Sequence, residues 1–219
     1  MNKERVICCC GNYRSGSTLI YMIASNLLKA AGCQNYELTK LHEQWMLSKK
    51  TNNDIFIYSY RDVRDVMASF CQKDKCDFNT FKDHSGGERH DVVEFIKFMI
   101  RYDESVRHFH HEKPNHCLIL RYETEIIGKT YELVEKIRKF ISIPDNVWSA
   151  KIAEKFSFEK NKEFAVNLSE LDQTTKLHPN HLKDGKIAKY KEVFKKEEID
   201  QMNGDPKISN WLIKNGYKI

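Results

Sequence analysis

The sequence predicts an α/β protein: three layers, with a central and mainly parallel β-sheet flanked by helices. Three observations predict it. Short β-rich apolar runs alternate along the chain with amphipathic helical segments. With 219 residues the chain is long enough for one sizeable core, read as a single domain over 1–219. Hydrophobic residues make up 41% and charged residues 31%, the balance of a globular protein rather than a disordered one.

Residues 5–10 form a compact apolar run ended by Gly11 and read as a buried strand. Residues 17–31 carry Leu19, Ile20, Ile23, Ala24, Leu27 and Leu28 at helical spacing, with Gly32 as the stop. A second, shorter strand is expected at 36–41, and a clear one at 54–60, DIFIYSY. Helices are expected over 63–72 and 92–110, a buried strand at 116–120, and helices over 130–141 and 148–156. Residues 73–90 are polar, contain Gly86–Gly87 and lack periodicity, which reads as a long loop or lid. The stretch 168–189 is equally irregular, and 190–202 is helix-like. There are no internal repeats and no low-complexity tract.

The net charge of +5 suits an anionic ligand and is too small to imply nucleic acid. No signal peptide or apolar run of bilayer length is visible, so a cytoplasmic protein without a membrane partner is expected. Seven cysteines, an odd number, include the run Cys8–Cys10, whose neighbours point to opposite faces of a strand. They read as small buried hydrophobes in a reducing compartment. No Cys-x-x-Cys pair offers a zinc site. His108 and His111 fall on one helix face, where a polar helix end is the simpler reading than a metal.

The segment CGNYRSGST, Cys10–Thr18, joins a buried strand to an amphipathic helix. Amide groups at a helix N-terminus, with the helix dipole behind them, hold anions. Ser15, Ser17 and Thr18 add hydroxyls and Arg14 a positive charge. The Gly11…Gly16 spacing is that of a nucleoside-triphosphate loop, but Ser17 stands where such a loop has its lysine. No strand ends in a carboxylate suited to magnesium. The loop therefore suits a smaller anionic group bound without metal, and alone it also fits an ordinary Ser/Gly-rich turn.

A second constellation follows the strand at 54–60: RDVRDVMAS, with Arg61 at the strand's carboxyl end and Ser69 two turns into the next helix. A guanidinium and a hydroxyl suit a phosphate dianion. Pairing of Arg61 with Asp65 along a helix surface is the alternative.

Together these residues resemble the sulfotransferases that use 3′-phosphoadenosine 5′-phosphosulfate (PAPS). The family's 5′-phosphosulfate loop, P-[KR]-S-G-[ST]-T, is matched by Arg14, Ser15, Gly16, Ser17 and Thr18, with Tyr13 in place of the proline. Its 3′-phosphate motif, an arginine with a serine eight residues on and then an aromatic, is matched by Arg61, Ser69 and Phe70. Lys40-Leu41-His42 looks like the family's K-x-H, and Leu120-Arg-Tyr-Glu123 is similar to its Y-E-D strand end. Ser157 and Phe158 resemble the adenine-side segment. Lys183-Asp-Gly185 with Tyr190 resembles a late R-K-G…W segment, with Lys183 and Asp184 as departures.

The resemblance implies a P-loop-like sulfotransferase fold, with PAPS as cofactor, PAP (adenosine 3′,5′-bisphosphate) as product and no metal. It implies Arg14 to Thr18 on the 5′ end, Arg61 and Ser69 on the 3′ phosphate, and Tyr122, Ser157, Phe158, Lys183 and Gly185 around the nucleotide. His42 would be the general base, with Glu43 the alternative, and Lys40 and Arg14 would neutralise the transferred group. The acceptor would be a hydroxyl or amine on a small molecule or glycan. Trp45 and Met46 would line its pocket or pack in the core, and the loops at 73–90 and 168–179 would select it. Two other classes are a P-loop nucleotide kinase, for which Ser17 is the wrong residue, and a non-catalytic binder of 3′-phosphorylated nucleotides.

Overall fold

The computed structural model describes residues 5–41, 54–74, 78, 91–144, 148–177 and 185–219. Among them, four parallel strands form one sheet: β1 (Arg5–Gly11), β2 (Tyr36–Leu41), β3 (Ile55–Tyr60) and β4 (Cys117–Arg121), in the order β2-β1-β3-β4. The strands pair in parallel, with Cys9 opposite Lys40 and Ile57, Gly11 opposite Ser59, and Tyr60 opposite Arg121. The helices are α1 (Ser17–Ala30), α2 (Val63–Asp74), α3 (Val92–Glu112), α4 (Thr130–Phe140), α5 (Trp148–Lys155), α6 (Phe158–Val166), α7 (Tyr190–Val193), α8 (Lys196–Gly204) and α9 (Pro206–Lys214). A π-helical turn, Tyr122–Ile126, follows β4. The predicted α/β class with a parallel sheet is present.

The chain packs as two compact units, neither continuous in sequence: 1–11, 15–60 and 107–185 in the first, 12–14, 61–106 and 186–219 in the second. The first contains the sheet. Strand alternation sends Ile7, Cys9, Ile55 and Ile57 to one face, where they meet Ile20, Ile23 and Leu27 of α1, Leu133, Val134 and Ile137 of α4, and Ile152 of α5. On the opposite face the ring of Phe56 meets Phe109 of α3 edge-on at 5.2 Å, and the Arg107 guanidinium covers the Tyr60 ring at 4.4 Å. Cys8, Cys9, Cys10 and Cys117 are buried and take part in no disulfide. Burial pushes the Cys9 and Cys117 thiols up, so they remain protonated apolar packing, as expected of them.

The second unit is helical. Its C-terminal part is held by polar bonds to buried partners. The Trp211 indole of α9 donates to Asp103 of α3 at 2.7 Å. Arg64 grips Asp62 through two bonds, Nε to Oδ1 at 3.0 Å and Nη2 to Oδ2 at 2.7 Å. It also donates to Asn203 and to the carbonyl of Lys218.

Three elements differ from expectation. The helix foreseen at 190–202 is two, because Lys195 is extended and its amide donates to Glu198 at 2.7 Å, which starts α8 afresh. Helices α6 and α9 were not foreseen. Ser157 caps the first, accepting from the Lys160 amide, and Asp205 caps the second, accepting from the amides of Lys207 and Ile208 ahead of Pro206. Among the described residues no helix is long and apolar enough to cross a membrane.

Candidate active site

Gly11, Lys40 and Tyr122 lie at or just after the carboxyl ends of β1, β2 and β4, the end of a parallel sheet where ligands bind. The residues of each unit form their own clusters.

In the first unit, Gly11 closes β1 against the end of β3. A Cβ there would stand 2.4 Å from the Ser59 hydroxyl and 2.6 Å from its carbonyl oxygen, so only glycine fits. The Ser15 hydroxyl, fully buried, donates to the Ser59 carbonyl at 3.0 Å and shares a bond with its hydroxyl at 2.9 Å. Ser15 thus ties the loop to β3. Gly16, with φ 95°, makes the left-handed turn into α1. A Cβ on it would meet Ile126 at 3.1 Å and Tyr122 at 3.4 Å, which brings two of the predicted residues together. The helix starts at Ser17 with no acidic residue in its first turn, and Ile20 is the first amide bonded back, to Gly16. The amides of Ser17, Thr18 and Leu19 are therefore the donors a helix N-terminus presents to an anion.

Farther along the first unit, Tyr122 begins the π-helical turn and is half-buried against the core. Ser157 and Phe158 form the start of α6. Gly185, with φ 63°, sits where a Cβ would fall 2.6 Å from Ile127 and 3.1 Å from the Phe158 ring, so Gly185 and Phe158 are also brought together. Lys40 is half-buried, on the same sheet face as Cys9 and Leu38. His42, Glu43, Trp45, Met46, Lys183 and Asp184 lie outside the described residues, as does most of the loop at 73–90.

In the second unit the structure joins Arg14, Arg61 and Ser69. Arg14 Nε donates to Ser69 Oγ at 2.9 Å, and Arg61 Nη1 reaches the Arg14 carbonyl at 3.5 Å. Arg61 is buried, so its pairing with Asp65 is no surface contact: Nη2 donates to Asp65 Oδ2 at 3.2 Å and to the Lys186 carbonyl at 2.7 Å. Asp65, fully buried, also accepts from the amides of Ala188 at 2.9 Å and Tyr190 at 3.0 Å. Burial raises its carboxyl above the ordinary carboxylate range, while the Arg61 guanidinium pulls it back down. Residues 186–190 are thus fastened to the Arg61–Asp65 pair, and the Tyr190 ring lies under the Arg64 guanidinium at 4.2 Å. Sequence reasoning missed Asp65 as this anchor. Its only signal was the four-residue spacing from Arg61.

The family model of the sulfotransferase domain matches residues 34–205, well over half of the chain. The chain belongs to the sulfotransferase family. The match starts after the loop at 11–18, so the reading of that loop rests on its own residues and geometry. Three solved structures resemble this sulfotransferase at low identity. Retinol dehydratase in complex with androsterone and inactive cofactor PAP aligns with TM-score 0.63 and 14% identity over 100% of this chain and 83% of its own. Retinol dehydratase with retinol and PAP gives 0.64 and 12%, over 100% and 84%. Mouse sulfotransferase SULT7A1 with PAP gives 0.62 and 14%, over 96% and 89%. No curated protein matches the sequence. These likenesses agree with the parallel-sheet α/β fold foreseen in the sequence.

Proposed function

We propose that the chain is a single catalytic domain that transfers the sulfuryl group of PAPS to a hydroxyl or amine of a small-molecule or glycan acceptor, leaving PAP. The observation that carries the reading is the cluster of Arg14, Arg61 and Ser69: two guanidiniums and a hydroxyl are a donor set for a phosphate dianion. Family membership supports sulfuryl rather than phosphoryl transfer. Ser17 at the lysine position of the loop agrees with it.

In this reading Arg61 and Ser69 hold the 3′ phosphate. The amides of Ser17 and Thr18 at the start of α1, with the left-handed turn at Gly16, hold the 5′ end. The Ser15 bond to Ser59 supports a role for Ser15 in fixing the loop rather than in donating its hydroxyl to the ligand. The Arg14–Ser69 bond supports a share for Arg14 in the 3′ phosphate, besides the charge it brings to the loop. Tyr122, Ser157, Phe158, Lys183 and Gly185 flank the nucleotide. Bound PAPS supplies a sulfuryl group activated by its phosphate anhydride.

The chain's residues position that group and manage charge. With PAPS held there, the sulfuryl group would pass to the acceptor's oxygen or nitrogen, and the bridging phosphate oxygen would leave with PAP. Lys40 offsets the charge that develops, and His42 takes the acceptor's proton. No protein metal ligand is required by this scheme.

A transfer assay with labelled PAPS across phenols, alcohols, sugars and amines tests the activity, and thermal shift with PAP tests the site. PAP at a hundredfold excess over its Kd should stabilise the chain by about 2.7 kcal/mol. Absence of stabilisation, or an Arg61→Ala variant that binds PAP as the parent does, would refute the reading. Loss of transfer in His42→Ala with PAP binding retained would separate catalysis from simple nucleotide binding.

A further inference from the structure

We propose that Tyr13 is a positioning residue for the phosphate-binding cluster: its ring, packed on Phe70 and Phe95, holds Arg14 in the turn that brings its guanidinium to Ser69. The inference rests on the nucleotide reading above.

Arg14 lies in the left-handed region at φ 58°, where a residue with a Cβ is sterically disfavoured and stays only if its surroundings hold it. Polar contacts of its own contribute, among them the Nε bond to Ser69 at 2.9 Å and the long approach of Arg61 to its carbonyl. The preceding residue adds an apolar anchor. The Tyr13 ring meets Phe70 edge-on, centroids 5.3 Å apart at 62°, and Phe95 of α3 at 6.1 Å and 31°. Phe70 and Phe95 meet each other edge-on at 5.9 Å. Three rings in mutual contact form an apolar seat, favoured by the aromatic quadrupoles.

The arrangement is a double latch. Two consecutive loop residues, Tyr13 and Arg14, fasten to two consecutive residues of α2, Phe70 and Ser69. A rotation of the loop that freed the tyrosine would carry the arginine off the serine. A proline at this position would restrain the backbone through its own ring. Tyrosine has no such restraint, and packing takes its place. Tyr13 need touch no ligand for this. Its effect on binding passes through Arg14.

The test is calorimetric titration of the full chain with PAP and with adenosine 5′-monophosphate, which lacks the 3′ phosphate. Tyr13→Ala should weaken PAP about tenfold, the effect of one displaced charge-assisted hydrogen bond, and weaken the monophosphate by less, because Arg14 also brings charge to the 5′ end, so that the ratio of the two affinities falls. Tyr13→Phe should bind both as the parent does. Phe95→Ala, which removes the seat from the other side, should lower the PAP preference in the same direction and stands in if Tyr13→Ala does not fold. A merely structural role would lower the melting temperature without moving the ratio of the two affinities. An unchanged ratio in Tyr13→Ala or its stand-in, alongside a collapsed ratio in Arg61→Ala, overturns the proposal and leaves the nucleotide reading standing. An unchanged ratio in Arg61→Ala as well overturns both.

Discussion

Arg14 Nε donates to Ser69 Oγ at 2.9 Å, although 55 residues separate the two in the chain. This bond joins the loop after β1 to the helix after β3, the two segments whose motifs the sequence offers separately. It also makes Ser69 more than a hydroxyl at helical spacing from Arg61. In the proposed site Ser69 would be shared between an arginine and the 3′ phosphate.

Ser69→Ala should therefore weaken PAP by about tenfold, the worth of one hydrogen bond to a charged group. Adenosine 5′-monophosphate should bind the variant as it binds the parent. Equilibrium titration with the two nucleotides measures both. Equal weakening of the two would place Ser69 away from the 3′ phosphate.

Asp65 gives a stability prediction. The carboxylate is fully buried, bonded to Arg61 and to the amides of Ala188 and Tyr190. Asp65→Ala leaves the Arg61 guanidinium buried without its carboxylate and two amides without their acceptor. Breaking a buried pair in this way costs about 3–5 kcal/mol. Urea unfolding should show the loss, and hydrogen exchange should show faster exchange at 186–190. A loss under about 1 kcal/mol, the range of exposed pairs, would mean the pair is solvated in solution.

Gly11 gives a steric one. A Cβ at this position would lie 2.6 Å from the Ser59 carbonyl oxygen, which is backbone and cannot rotate away, and 2.4 Å from the Ser59 hydroxyl. Gly11→Ala should destabilise by about 1–3 kcal/mol, the usual range for overpacking. Adding Ser59→Ala removes the hydroxyl and leaves the carbonyl, so chemical denaturation of the double variant should recover only part of the loss. Full recovery would show that the side chain alone sets the constraint.

The strands were legible because each is a short apolar run bounded by turn residues, and a parallel sheet buries such runs on both faces. The long helices were legible by their 3.6-residue period. Helices α6 and α9 were missed although their start signals stand in the sequence: Ser157 as the cap for one, Asp205 ahead of Pro206 for the other. In the site, the spacing of Arg61 and Ser69 was readable because it is local to one strand-helix turn. The anchoring by Asp65 was not, since its amide partners lie 123 and 125 residues away. Tyr13 was invisible for the same reason: Phe70 and Phe95 become its neighbours only once α2 and α3 are packed.

Glu135 sets a pH dependence that can be worked through in sign. On α4, Arg138 donates Nε to one carboxylate oxygen at 3.0 Å and Nη2 to the other at 2.9 Å. That fork pulls the Glu135 carboxyl down to about 2. A carboxylate held below its unfolded value, about 4.3, stabilises the fold above that value. The contribution is lost as pH falls from about 4.3 toward 2, because the unfolded chain takes up the proton first. Glu135→Gln keeps the shape and removes the charge. It should cost about 1 kcal/mol at pH 7, a figure reduced for solvent screening, since the pair lies at the edge of the surface. The urea midpoints of parent and variant should differ at pH 7, approach each other through pH 4, and nearly coincide by about pH 2. Arg138 keeps its bond to the Ile143 carbonyl at 2.8 Å in both proteins, so the turn after α4 is a constant background. A gap between the two midpoints that stays constant over this range would show that Glu135 acts through packing rather than through its charge.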